Sequence, residues 1–303
     1  MPRPKRIAIV GGTHGNERGG ILLVGEMRRD PASWSFPGLE IQTFLGNPEA
    51  IALNRRYVER DLNRCFGPNF KDASPESEVL ELRRAFELEK LLRPDGQAFD
   101  LLIDFHNTTG AMDASWILTN PNPWPWYLGW KAWEAAPSDV RLYHTPETWE
   151  SNVFVPSLGI DEITLEVGPA MHGTSPHRAY ELVRTQLRGI LERLSVLPED
   201  FDPVPELRQA DFPIFVEGES VAFPCDESGR PTALLHKDML GRDYQEVTSG
   251  KPLFHDLATG TDLRHEGDSF WPVFVAEQAY VEKGIAFVKT TRSSWSGGKD
   301  ILP

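Results

Sequence analysis

Residues 5–17 read KRIAIVGGTHGNE, and the reading of this stretch decides the fold. The run from Ile7 to Val10 is apolar, so residues 5–12 (KRIAIVGG) are expected to form a buried strand ending in glycines. A helix-like run follows, and the C-terminal edge of such a strand is where an α/β sheet binds its ligands. His14 and Glu17, three residues apart, face one point if the backbone turns helically between them. Gly12 and Gly15 permit that tight turn.

Working outward, residues 39–46 (LEIQTFLG) form a second expected strand, stopped by Asn47-Pro48, and residues 99–106 (FDLLIDFH) a third. Shorter ones are expected at 115–118, 140–144 and 163–167. Ser74-Pro75 is expected to open a helix with Val79, Leu82 and Phe86 on one face. Ser175-Pro176 opens the clearest one, where Ala179, Leu182, Val183, Leu187, Ile190, Leu191 and Leu194 recur at helical spacing. Strands alternating with helices predict an α/β domain over residues 1–197 with a mainly parallel or mixed sheet and flanking helices. Residues 195–213 carry four prolines and read as a connector. Residues 198–303 read as a smaller β-rich domain packed on the first, ending in a poorly ordered tail, SSWSGGKDILP.

The formal net charge of −14 over 303 residues argues against a nucleic-acid partner. A small anionic substrate would instead need a local cluster of arginines. No stretch approaches the roughly 20 apolar residues of a membrane span. The N-terminal apolar run is too short for a signal-peptide core, and Cys65 and Cys225 make no disulfide framework. The chain therefore reads as cytoplasmic, with no membrane partner, and a homo-oligomer stays open.

Two ligands make a weak metal site, and His106, at the end of the strand in DFHNTTG, is the candidate third. Two histidines, one glutamate and a water form a catalytic zinc arrangement, because one position stays open to chemistry. The same residues also fit a structural reading, a strand-terminal histidine held by hydrogen bonds. Glu166 ends the apolar run ITLEVGP, where a carboxylate is costly without a partner or a task. It reads either as a salt bridge to an arginine or as a general base. Residues 54–64 (NRRYVERDLNR) hold four arginines, either a solvated charged run or a carboxylate-binding cluster.

In order, GGTHGNE, NPEA, RRYVERDLNR, DFHNTTG and LEVGP resemble the aspartoacylase branch of the zinc carboxypeptidase-like amidohydrolases, as does PVFVAEQAYVEKGIAFVKTT near the C-terminus. The resemblance spans nearly the whole chain. It implies a zinc-carboxypeptidase-like catalytic domain, a β-rich C-terminal domain shielding the site, and hydrolysis of an N-acyl-amino acid. It further implies one zinc ion per chain on His14, Glu17 and His106, with Glu166 as the base. Arg56 would polarise the scissile carbonyl, and Asn63 and Arg64 would hold the α-carboxylate. Asp61 would orient its neighbours, and Tyr280 would reach into the pocket from the C-terminal domain.

One departure bears on the substrate. The branch places an additional arginine a little upstream of the EVGP glutamate to bind an aspartyl side chain, yet residues 146–165 contain no Arg or Lys. Whole-chain similarity favours N-acetyl-L-aspartate. Lys237 and Arg60 are the nearest candidates for the missing cation. If neither reaches the pocket, a neutral or aromatic side chain is expected instead, with Trp149 or Phe154 offering it apolar surface. A metallocarboxypeptidase, a desuccinylase and a non-catalytic zinc-binding protein are the rival readings.

Overall fold

A computed structural model describes residues 2–119, 121–145 and 152–296. In chain order the first half runs β1 (Arg6–Gly11), α1 (Arg18–Arg29), β2 (Glu40–Leu45), α2 (Pro48–Leu53), α3 (Leu80–Leu92), β3 (Leu101–Asn107), β4 (Asp113–Leu118) and α4 (Pro123–Ala135). It continues with β5 (Val140–His144), β6 (Asp161–Gly168), α5 (His177–Val196), α6 (Val204–Leu207) and β7 (Asp211–Ala222). The remainder is β8 (Ala233–Leu235), β9 (Pro252–Asp256), β10 (Asp262–Arg264), β11 (Trp271–Val273), α7 (Gln278–Val281) and β12 (Ile285–Ser296).

Nine strands form one mixed sheet in the order β11-β12-β7-β5-β4-β6-β3-β1-β2, and β8, β9 and β10 form a small antiparallel sheet. The fold is thus α/β with a β-rich C-terminal part. Three of that part's strands continue the large sheet: β7 pairs parallel with β5, and β12 pairs antiparallel with β7 and β11.

Side-chain alternation divides the sheet into two faces. Ile7, Ile9, Leu101, Ile103, Phe105, Ile163, Leu165 and Val167 pack with α1, α4 and α5 in one core. Ala8, Val10 and Leu102 lie on the other face, under α3. Asp104 and His106 of β3 share that second face by parity, as do Glu162, Thr164 and Glu166 of β6.

Three expectations change, and one helix, α4, has no counterpart in the sequence reading. Ser74-Pro75 does not open α3, which begins five residues later at Leu80. The anchor there is the buried Glu81, whose carboxylate accepts from the backbone amides of Val58 (2.7 Å), Glu59 (3.2 Å) and Arg60 (3.0 Å). Phe86 is half-buried beneath Lys90 rather than in the core. The segment SSW is not a loose tail: it ends β12, with the buried Trp295 stacked on Phe212. Residues 297–303 lie outside the described residues. Finally, α4 carries four tryptophans and opens on prolines, which suit its first turn and mask it in a periodicity reading. Cys65 and Cys225 are free thiols. Among the described residues no helix is long and apolar enough to cross a membrane.

The loop after β1 is held close to α2. The Gly15 amide donates to the Arg56 carbonyl (3.2 Å), and a Cβ at Gly15 would lie 2.1 Å from the Ala50 carbonyl carbon. Gly15→Ala must push α2 or the loop aside, at about 1–3 kcal/mol. Gly25→Ala in α1 meets only the flexible end of Arg29, at 3.4 Å, and should gain about 0.5–1 kcal/mol in helix propensity. Thermal melts should therefore move in opposite directions, down for Gly15→Ala and up for Gly25→Ala.

Candidate metal centre and active-site cavity

His14 and Glu17 sit in the β1–α1 turn and His106 on β3, and their ligand atoms lie within 4.8 Å of one another. Nδ1 of His14 is 2.6 Å from Glu17 Oε1, Nδ1 of His106 is 2.8 Å from Glu17 Oε2, and the two Nδ1 atoms are 3.1 Å apart. Both imidazoles thus turn Nδ1 to a common point. Their Nε2 atoms are held elsewhere, that of His14 by Asp61 (3.0 Å) and that of His106 by Asp104 (2.8 Å). Carboxylates behind metal-bound histidines fix ring orientation and raise ligand basicity. All three ligand side chains are buried.

Charge points the same way. Glu17, Asp61 and Asp104 converge here against the single guanidinium of Arg56, which reaches Glu17 and Asp61 at 3.1 Å each. With neutral histidines two negative charges remain, which a divalent cation would balance, and an imidazole–carboxylate donor set suits a borderline ion. Burial opposes ionisation of Glu17, but His14 and His106 outweigh it and hold the carboxyl well below its usual range. Burial likewise works against charge on His106, and Asp104 and Glu17 overcome it, raising its proton affinity.

A cavity of about 180 Å³ opens beside this cluster. Glu166 faces it from β6, in register with His106 of β3. Among the described residues Glu166 has no hydrogen-bond or ion-pair partner, so the salt-bridge reading finds no support. Burial pushes its carboxyl up to about 8, with Glu17 and Glu277 adding to the shift and His106 and Arg56 opposing it.

The arginine run is not a solvated face throughout. Arg56, Asn63 and Arg64 line the cavity. Asn63 Oδ1 accepts from the Val155 amide (2.9 Å), and Arg64 lies 4.8 Å from the Phe154 ring centroid while donating to the Asn63 carbonyl (2.7 Å). Asp61 accepts from the Asn63 amide as well as from Arg56. Tyr280, on α7, lines the cavity with its ring 5.0 Å from Phe274. Burial and the nearby Glu166 raise its proton affinity.

Lys237 and Arg60 do not line the cavity. Phe154 does, and Trp149 lies outside the described residues. His177 is exposed on α5, and His172 packs 3.4 Å from Glu277.

Asn107 and Thr108, which follow His106 and are candidates for the pocket wall, do line the cavity, and several further contacts are not assigned by the motifs. Asn107 caps α1 from β3, its Oδ1 accepting from the Gly19 amide (2.7 Å) where Glu17 supplies no side-chain cap. Glu277 accepts from Thr108 Oγ1 (2.5 Å), the Thr109 amide (2.7 Å) and the Ala279 amide (3.1 Å), joining α7 to the loop after His106. Asp243 bridges the amides of Ala111 (2.9 Å) and Val275 (3.0 Å). Lys283, one turn beyond Tyr280, has its Nζ 5.7 Å from the Tyr280 ring centroid, and partial burial and repulsion from Arg64 and Arg56 lower its proton affinity. Sequence spacing alone finds none of the long-range contacts, because each partner is distant along the chain.

A family model described as "Succinylglutamate desuccinylase/Aspartoacylase catalytic domain" matches residues 3–192. A second, "AstE/AspA barrel-sandwich hybrid domain", matches residues 210–292. The chain belongs to the succinylglutamate desuccinylase/aspartoacylase family. Within curated relatives of the family it is 34% identical to a probable aspartoacylase of Acaryochloris marina, over 96% of this chain and 97% of that one. It is 33% identical to an N-acyl-aromatic-L-amino acid amidohydrolase (carboxylate-forming) of Rattus norvegicus, over 95% and 90%. The crystal structure of murine aminoacylase 3 superposes with a TM-score of 0.85 at 28% identity, covering 97% of each chain. A succinylglutamate desuccinylase from Chromobacterium violaceum shares the fold at a TM-score of 0.62 and 18% identity, over 96% of this chain and 85% of that one.

Asp104→Asn keeps the shape behind His106 and removes the charge. Metal affinity should fall about ten- to hundredfold. Competition against a chromophoric chelator measures this, and unchanged affinity would remove Asp104 from the support of the site.

Proposed function

We propose that this protein hydrolyses the amide of an N-acyl-L-amino acid, with zinc held by His14, Glu17 and His106. The observation that carries the reading is Glu166, which has no ion-pair or hydrogen-bond partner among the described residues and faces the same cavity as the His14, Glu17 and His106 cluster. Bound there, zinc would activate a water and polarise the acyl carbonyl.

Glu166 takes a proton from the attacking water as the new C–O bond forms. It then delivers that proton to the amide nitrogen as the C–N bond breaks, releasing a carboxylate and a free amine. Arg56, fixed by Glu17 and Asp61, directs its guanidinium toward the negative charge that develops on the carbonyl oxygen. Asn63 and Arg64 hold the substrate α-carboxylate, and this holds the amide against the metal. Tyr280 closes the wall opposite.

The lining supports a neutral or aromatic side chain. Among the described residues lining the cavity, Arg56 and Arg64 are the only lysines or arginines, and both are committed near the metal. Residues 146–151, beyond the described ones, contain no Lys or Arg either. A second substrate carboxylate would enter without a counterion, which costs several kcal/mol in a water-poor pocket. Ile117, Tyr143, Phe154 and Phe274 offer apolar surface instead. This weighs against the N-acetyl-L-aspartate expectation, although relatives with both kinds of name resemble the chain to similar degrees.

The test is release of free amino acid from an N-acetyl amino acid panel by zinc-loaded protein. The kcat/KM for N-acetyl-phenylalanine should exceed that for N-acetyl-aspartate, and the reverse ratio would restore the aspartate reading. Glu166→Gln should lose roughly a hundredfold or more in kcat while retaining one zinc per chain. Arg64→Ala should act mainly on KM.

A further inference from the structure

We infer that Glu217 is the specificity-determining residue of the side-chain pocket, selecting substrates whose side chain ends in a hydrogen-bond donor. The inference rests on the deacylase reading above and extends it to the far wall of the cavity. Glu217 lies on β7 and lines the cavity with Tyr143 of β5. The order β6-β4-β5-β7 and the strand registers put it three strands, about 14 Å, across the sheet from Glu166 and about four residues along it, on the side away from the metal. Tyr280 lines the same cavity and feels the charge of both.

The neighbouring Glu219 shows why Glu217 stands apart. Glu219 is exposed and paired with Lys289 at 2.6 Å. The β12 register shifts between Val288 and Thr290, so that Thr290 faces Glu217 while Ser220 faces Val288. This bulge separates two positions of equal parity and leaves Glu217 turned into the cavity. Among the described residues no Lys, Arg or His pairs with it, and the buried Tyr143 beside it in the cavity wall has its phenol kept protonated by burial and by the Glu217 charge. An ionised carboxylate has about four acceptor positions, so one phenol leaves capacity for a second donor.

The rest of the far wall repeats the pattern. Glu162 lines the cavity two positions before Thr164 on the inward face of β6. Its oxygens are occupied by Thr119 and by Asn152 Nδ2 (3.0 and 3.1 Å). The cavity lining thus holds guanidinium donors near the metal ligands and carboxylate acceptors farther from them, with the edge-to-face rings of Tyr143 and Phe274 forming apolar wall. The complementary ligand has an α-carboxylate at one end and an aromatic side chain carrying a donor, above all a phenol, at the other.

The experiment compares N-acetyl-tyrosine with N-acetyl-phenylalanine, which differ by one hydroxyl, using zinc-loaded full-length protein. A hydrogen bond to a charged acceptor corresponds to about ten- to hundredfold, so the tyrosine-to-phenylalanine ratio of kcat/KM should reach at least about ten. Glu217→Leu should bring that ratio toward one. Glu217→Lys should raise N-acetyl-aspartate relative to N-acetyl-tyrosine, and this arm reads the same site if the leucine variant folds poorly. Zinc content and a thermal melt accompany each variant. A wild-type ratio at or below one, or a ratio unmoved in both variants, overturns the inference while the deacylase reading stands. Absence of turnover on every N-acyl amino acid overturns both.

Discussion

A strand covered by helices on one face offers only every second residue to chemistry, and β3 and β6 meet this constraint side by side. Phe105 and Val167 go into the helical core, which leaves His106 and Glu166, partners in the parallel register, on the open face. A slip of one residue in either strand would bury a charged group among α1, α4 and α5 and turn a large apolar side chain to the cavity. The eight apolar side chains that β1, β3 and β6 contribute to that core therefore hold the chemistry in place as well as the fold.

This parity is also why so much of the site was legible. GGTHGNE and DFHNTTG each place a ligand at a strand end, and alternation in ITLEVGP sets Glu166 against its apolar neighbours. What was not legible depends on partners far along the chain. Glu81 decides where α3 starts because three amides of the arginine run converge on it, a fact that no local capping signal at Ser74-Pro75 contains. Asp104 stands two residues before a ligand, yet only the fold reveals that it grips Nε2 of His106 and takes the Thr13 hydroxyl at 2.9 Å. Trp295 looked like part of a tail because its partners, Phe212 and Trp126, are reached only once β12 lies along β7.

Buried charge around the ligands is stable only as a network. Removing one partner from such a set leaves the others unpaired at several kcal/mol. Arg56 illustrates the coupling: it answers the charge of Glu17 and Asp61 and also lines the cavity, so its position is set by the same carboxylates that surround the candidate ligands. The histidines follow the same logic, each carrying one nitrogen to the ligand point and the other to an aspartate.

The continuation of the sheet into β7, β12 and β11 has a consequence for selectivity. A C-terminal domain resting loosely on the first would place Glu217 and Tyr280 only to within the play of that contact. Here Glu217 belongs to the same hydrogen-bonded sheet as Glu166, and Tyr280 is tied back through Glu277 to Thr108 and Thr109, two and three residues after the candidate ligand His106. Asp243 adds a second tie between Ala111 and Val275. In the proposed deacylase the distance between the amide and the Glu217 wall would therefore be fixed by strand spacing and buried hydrogen bonds. Discrimination by a single hydroxyl needs that rigidity, because a wall free to shift by an ångström would accept either side chain.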